Sequence, residues 1–231
     1  MNSISDIHHC YYINLLSRLD RKNHVEKQLE RIGICFTRFN AIKLENGALG
    51  CSMSHLKCLE NAKKLGLPHI LIVEDDITFL KPDLFIKQFN YFLQHHSVWD
   101  VAIISGNNAP PYLNIDHSCV KVQRCQTTTG YLVKSHYYDT LIQNIKEGIN
   151  LLLKNPKQHR EYAIDKYWFS LQQKDKWYLI IPLSVVQRED YSDIEKRSTN
   201  YMKNMMDLDK KELFQKQNKL MNIPLDKMRF T

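Results

Sequence analysis

The chain has 231 residues, 43% apolar and 25% charged, which supports one well-cored domain and excludes wholesale disorder. Only seven residues are glycine, and their positions build neither G-x-G-x-x-G nor G-x-x-x-x-G-K-[ST], so a glycine cradle for phosphate has no support. The net charge of +7 comes from lysines scattered among acids, with no Lys/Arg run of four, which reads as a soluble basic surface and not as a nucleic-acid groove.

Residues 10–16 are apolar and β-like. Residues 18–31 carry Val25, Leu29 and Ile32 on one helical face, and Gly33 suits the helix end. Residues 34–39 alternate as a strand, and 40–49 read as a polar loop. Residues 51–65 repeat Leu56, Leu59, Ala62 and Leu65 at helical spacing until Gly66 and Pro68 stop them. Residues 69–73 form a buried strand that ends on three acids. Pro82 and Asp83 start a helix to residue 95 with Phe85, Phe89 and Phe92 on it. Residues 99–105, 120–124 and 131–134 read as strands, 135–153 and 160–172 as helices, and 177–181 as a late strand. Residues 201–231 have helical tendency, interrupted by Pro224. The alternation predicts an α/β fold with a largely parallel sheet covered by helices on both faces. Ligands of such sheets lie beyond the carboxyl ends of the strands.

The six cysteines form no C-x-x-C, so a zinc ribbon has no support, and Cys10, Cys35 and Cys58 read as small hydrophobes. The first residues lack the basic-then-apolar pattern of a signal peptide, and no apolar run is long enough to span a bilayer. The expectation is a cytoplasmic protein with reduced thiols, with the tail docked on its own domain, joined to a second copy, or laid on a membrane surface.

The chemistry concentrates where Ile70-Leu71-Ile72-Val73 runs into Glu74-Asp75-Asp76. Three adjacent carboxylates repel one another unless a cation offsets them, and hard oxygen ligands suit Mg²⁺ or Mn²⁺. In an extended segment Glu74 and Asp76 share a face, with Asp75 turned away. The string resembles the opening of a response-regulator receiver domain, but about 70 residues precede it here and no apolar strand leads into a phospho-acceptor at Asp116.

A second resemblance covers residues 10–197. Its pieces are Tyr12-Ile13-Asn14-Leu15 with Arg18 and Asp20-Arg21, Phe39-Asn40-Ala41-Ile42, Gly47-Ala48-Leu49-Gly50-Cys51-Ser52-Met53-Ser54-His55, Glu74-Asp75-Asp76, Thr129-Gly130-Tyr131, Ala163-Ile164-Asp165, and Pro182, Gln187 and Ser192-Asp193-Ile194. This set resembles glycosyltransferase family 25. The resemblance implies a GT-A-like domain over 1–200, a helical tail over 201–231, and inverting transfer of galactose or glucose from a UDP-sugar to a hydroxyl of a glycan or glycoconjugate. It implies Glu74, Asp76 and Gln187 as ligands of Mn²⁺ or Mg²⁺. Asn14, Leu15, Arg18, Ala41, Ser54, His55, Asp75 and Ser192 become donor-binding residues, with Asp193 closing over the diphosphate. Ser54 and His55 either bond the donor or order the acids. Asp165 is either the base that takes the acceptor proton or the N-cap of its helix. Tyr131, Tyr167 and Trp168 either stack on a sugar or belong to the core. Two other readings compete: a transferase fold that binds nucleotide or glycan without catalysis, and a basic module for nucleic acid or anionic lipid.

Overall fold

A computed structural model describes residues 1–192 and 197–211, with the side chain of Ser192 outside that description. In chain order the elements are β1 (Cys10–Asn14), α1 (Leu19–Arg31), β2 (Thr37–Asn40), α2 (Gly47–Lys64), β3 (His69–Glu74), β4 (Ile77–Phe79) and α3 (Pro82–His95). Next come β5 (Val101–Asn108), β6 (Tyr112–Asn114), β7 (Cys119–Val122), β8 (Cys125–Lys134), α4 (Tyr138–Lys154), α5 (His159–Tyr162), α6 (Ile164–Tyr167) and α7 (Phe169–Lys174). The last are β9 (Trp177–Ile180), β10 (Val185–Gln187), β11 (Asp190–Ser192), β12 (Arg197–Thr199) and α8 (Met202–Met206).

Eight strands make the central sheet in the order β2-β1-β3-β8-β5-β9-β7-β6. β1 pairs in parallel with β2 and β3, and β5 with β9, while β7 and β8 run against their neighbours. The fold is therefore the expected α/β arrangement, with most strands pointing one way.

β3 is an unbroken apolar run because both of its faces are covered. Ile70 and Ile72 face the layer of α2, α4 and α6 with Leu59, Ala62, Leu141, Ile145 and Trp168. Leu71 and Val73 face the layer of α1 and α3 with Val25, Leu29, Phe85, Phe89 and Phe92. The α3 phenylalanines fall on one face by their spacing, and their rings stack 5.2 and 6.3 Å apart. Each such buried side chain contributes about 1.5–3 kcal/mol.

Several boundaries differ from the sequence expectation. α2 begins at Gly47, inside the expected loop, because Asn46 caps it by accepting from the Leu49 amide at 3.2 Å. β8 starts at Cys125, six residues before the expected strand, through the polar stretch Gln126-Thr127-Thr128-Thr129. The expected helix over 160–172 is three short ones, broken first at Ala163, whose ψ of 149° is extended. The second strand lies at 37–40, three residues later than read. Of the expected tail, residues 212–231 lie outside the description. α8 packs on β5 and β10, with Met205 buried and its Sδ accepting from the Gln187 amide at 3.4 Å.

Candidate active site

The acids emerge from β3 in the middle of the sheet, so a rigid strand fixes their position. β4 follows at once and pairs with β10, which sets Gln187 opposite Ile77. The Arg188 amide then donates to the Asp76 carbonyl at 2.8 Å. Beside the acids lies a cavity of about 370 Å³. Its wall includes Ile13 of β1 and Leu15 just after it, Ala41 to Glu45 after β2, Gly47, Cys51, Ser54 and His55 of α2, Arg21, the three acids, and Gln187.

The three carboxylates have different surroundings. Glu74 Oε1 accepts from the Thr128 hydroxyl at 2.8 Å and lies 3.5 Å from His55 Nε2, while Oε2 accepts from the Gln187 amide at 3.3 Å. Burial pushes its pKa up, but His55, Thr128 and Arg21 outweigh that and hold it below the ordinary value. Asp75 turns the other way, as alternation demands. Its Oδ2 accepts from Asn14 Nδ2 at 2.6 Å and its Oδ1 from Arg21 Nη1 at 2.8 Å. Arg38 in turn donates to Asn14 Oδ1 at 2.5 Å, so Asn14 is a buried strut between β2 and the acids. Asp76 Oδ2 takes a longer bond of 3.2 Å from Arg21, and its Oδ1 is buried with no hydrogen-bond partner. Burial, helped by the Glu74 charge, pushes the Asp76 carboxyl up to about 8.

A family model described as glycosyltransferase family 25 (LPS biosynthesis protein) matches residues 43–168, over half of the chain. The chain belongs to glycosyltransferase family 25. The matched span carries the α2 entry, the acids and Asp165, whereas Asn14, Arg18, Arg21, Gln187 and Asp190 lie outside it. No curated protein matches the chain by sequence. Among solved structures, a glycosyltransferase involved in the glycosylation of the major capsid of PBCV-1 is 11% identical, with 81% of this chain aligned to 95% of that one at a TM-score of 0.46. A mannose-1-phosphate geranyltransferase from Thermus thermophilus is 10% identical, with 79% of this chain aligned to 74% of that one at a TM-score of 0.44.

In this family 25 transferase the remaining sequence-derived residues fall into four groups. Leu15, Ala41, Asp75 and the three residues read as metal ligands meet at the cavity. Ser54 and His55 also border it, yet their polar atoms are turned to the protein. The Ser54 hydroxyl accepts from the Ile42 amide at 2.8 Å and donates to the Gly50 carbonyl at 2.8 Å, which pins the cavity loop to α2. His55 is fully buried, with Nδ1 on the Tyr131 hydroxyl at 2.8 Å and Nε2 3.5 Å from Glu74 Oε1. Arg18 stands outside the wall and bridges Asp20 and Asp190. Ser192 ends β11, and its side chain and Asp193 lie outside the description.

Asp165 occupies the second position of α6, whose N-cap is Ala163, so the N-cap alternative is corrected. Its Oδ2 accepts from the Thr127 amide at 3.2 Å, and burial pushes its pKa up. Thr127 and Thr128 thus link Asp165 to Glu74, a connection that runs through β8. Thr127 holds φ at +71°, a left-handed conformation that is costly for a β-branched residue. Tyr131 and Trp168 belong to the core: both are fully buried, and the Trp168 indole donates to the Cys125 carbonyl at 3.0 Å.

Asp190 was not readable from the sequence. Its Oδ2 gathers Arg18 at 3.0 Å, Arg188 at 3.0 Å and Arg21 at 3.3 Å, and its Oδ1 accepts from the Tyr191 amide at 2.7 Å. Partial burial would push its pKa up, but the Tyr191 amide and Arg21, Arg188 and Arg18 outweigh that and hold it below the ordinary value. Its stabilisation is therefore present above the unfolded pKa of about 4 and lost as pH falls through the lower native value. Asp190→Asn is expected to cost about 1–3 kcal/mol at pH 7, after discounting a buried pair for partial solvent screening. The difference from wild type should shrink in acid, and denaturant melts at pH 7 and pH 3 check it. An equal difference at both values would assign the effect to packing alone.

Gly50 has a packing role. A Cβ there would lie 2.5 Å from the Ile42 carbonyl oxygen, inside contact distance of backbone. Gly50→Ala is expected to push the 42–45 loop outward, costing about 1–3 kcal/mol and weakening the UDP binding proposed below. Thermal melts and calorimetry with UDP check both effects, and a variant that keeps wild-type stability and affinity would refute the tight contact.

Proposed function

We propose that the chain transfers a hexose, galactose or glucose, from a UDP-sugar to a hydroxyl of a glycan or glycoconjugate, with inversion and with a divalent metal. The observation that carries this reading is the acid cluster at the end of β3, facing a 370 Å³ cavity, in which a buried Asp76 oxygen has no partner.

The residues fit a hard dication. Asp76 Oδ1 is an orphaned buried acceptor beside Glu74, and burial and the Glu74 charge outweigh Arg21 in raising its pKa, so a bound dication would favour the ionised form. Gln187 spends its amide nitrogen on Glu74, which leaves its carbonyl oxygen as the ligating atom. Mn²⁺ or Mg²⁺ held by Glu74, Asp76 and Gln187 would offset the diphosphate charge and stabilise the leaving UDP. The protein supplies the rest. Leu15 and Ala41 give the cavity an apolar wall suited to the face of a base, and Asp75 is aimed by Asn14 and Arg21. Asp165 accepts the acceptor hydroxyl proton as that oxygen bonds to the anomeric carbon and the bond to the UDP oxygen breaks on the opposite side. The Thr127 amide holds the carboxylate in place.

A second reading has one observation behind it. Arg21 already contacts Asp75 and Asp76, an internal cation compatible with a metal-free, non-catalytic binding protein. A screen of UDP-sugars against glycan acceptors with Mn²⁺, read as UDP release, separates the two. Transfer abolished by chelation supports the enzyme, and calorimetric UDP binding without turnover across the panel supports the binding protein. No helix among the described residues is long and apolar enough to cross a membrane.

A further inference from the structure

We propose that His96, Asp116 and Cys119 form a second metal site, for a borderline transition-metal dication of the zinc class. His96 follows the end of α3, and Cys119 opens β7. β7 lies four strands from β3 in the sheet order, about 19 Å at the usual strand spacing of roughly 4.8 Å, so this cluster is separate from the transferase cavity.

His96 Nε2 lies 2.8 Å from Asp116 Oδ2 and 3.8 Å from Cys119 Sγ. The three atoms all fall within 4.8 Å of one another. Zinc bonds of about 2.0 Å to nitrogen and oxygen and 2.3 Å to sulfur in a tetrahedron put ligand atoms about 3.3–3.5 Å apart, a range that the two His96 separations bracket. The carboxylate is already aimed. Asp116 Oδ1 accepts from the Ser118 amide and hydroxyl, both at 2.7 Å, and from the Cys119 amide at 3.2 Å, which leaves Oδ2 for His96. Those bonds form an outer shell of the kind that orients metal ligands.

The donor set is sulfur, nitrogen and oxygen, unlike the oxygen donors at the end of β3. Thiolate and imidazole select zinc-like ions over Mg²⁺ and Ca²⁺. His96 and Asp116 side chains are 21% and 26% exposed, so an ion has access, while Cys119 is sealed beneath them. A cysteine nucleophile is the wrong description. One imidazole nitrogen faces both the thiol and the carboxylate, where a base relay needs two. Burial also pushes the Cys119 thiol up to about 12, far from a reactive thiolate. Coordination would displace the thiol proton to solvent and leave the imidazole proton on Nδ1, with no change of oxidation state. The bound ion would clamp the end of α3 to the start of β7.

The test uses the reduced full chain with Co²⁺ as an optical probe and Zn²⁺ as competitor. The expected result is a thiolate-to-cobalt charge-transfer band that saturates at one equivalent and is removed by Zn²⁺. Cys119→Ser should abolish the band, and His96→Gln should weaken cobalt binding at least tenfold while circular dichroism shows the fold intact. Cys51→Ser, which alters the other sulfur near carboxylates, should retain the band. His96 is partly exposed, so its variant remains informative if Cys119→Ser fails to fold. A folded wild-type chain without the band, a band that survives His96→Gln at full affinity, or a band lost only in Cys51→Ser overturns the site.

Discussion

Asp76→Ala is expected to lower kcat/KM for sugar transfer by at least about 10³-fold while leaving the fold as stable as wild type or more so. Removing one group that stabilises developing charge in an active site costs about 10²–10³-fold, and losing the ion that it holds adds to that. The stability half follows from electrostatics. Asp76 is a buried carboxylate whose Oδ1 has no partner, and its carboxyl is pushed up to about 8 by burial and by Glu74. Burial and the neighbouring Glu74 charge disfavour ionised Asp76, so its removal lifts that penalty, and Arg21 keeps Asp75 and Asp190 as partners. UDP release and a thermal melt on the same preparation check the split. Wild-type transfer by the variant, or wild-type activity that withstands EDTA, would remove both the acid and the metal from the mechanism.

Asp165→Asn is expected to cut transfer about 10²–10⁴-fold, the usual contribution of general base catalysis, with donor affinity within a few-fold of wild type. Asparagine is nearly isosteric, and its carbonyl oxygen can still accept from the Thr127 amide, which now contacts Asp165 Oδ2 at 3.2 Å. The change therefore removes the proton acceptor together with a long, 3.9 Å ion pair to Lys166. Burial pushes the Asp165 pKa up, so the wild-type rate should fall on the acid side at a pH above the ordinary aspartate value of about 3.9. That limb should vanish in the variant. Single-turnover rates across pH, with calorimetry of UDP binding, check both points, and undiminished turnover by the Asp165→Asn variant would end the assignment.

The sequence carried the fold wherever burial was continuous or strictly periodic. β3 is unmistakable because four apolar residues meet three acids, and α3 because its phenylalanines share a face. The cavity-lining positions Leu15, Ala41, Glu74, Asp76 and Gln187 came from motif order and lie around one cavity. The misses have local causes. β4 and β10 are three residues each, too short for any period to register, yet their pairing is what brings Gln187 to the acids. The first half of β8 is polar, with the Thr128 hydroxyl donating to Glu74, so no apolar alternation marks that part of the strand. Asp190 meets Arg18 and Arg21 across 172 and 169 residues, a separation that no local pattern encodes. Ser54 came from the resemblance as a residue that either bonds the donor or orders the acids, but its hydroxyl is consumed by the backbone on both sides.

The left-handed Thr127 has a bearing on how this enzyme would respond to laboratory evolution. A residue forced into that region carries a cost of about 1–3 kcal/mol, which glycine there would largely remove. Selection for heat tolerance alone would thus favour glycine at 127. The same freedom would loosen the amide that steadies Asp165. With Asp165 as the proposed base, thermal endurance and turnover would be opposed at one backbone position, and variants recovered from a heat-based screen would be slow catalysts unless activity is selected alongside.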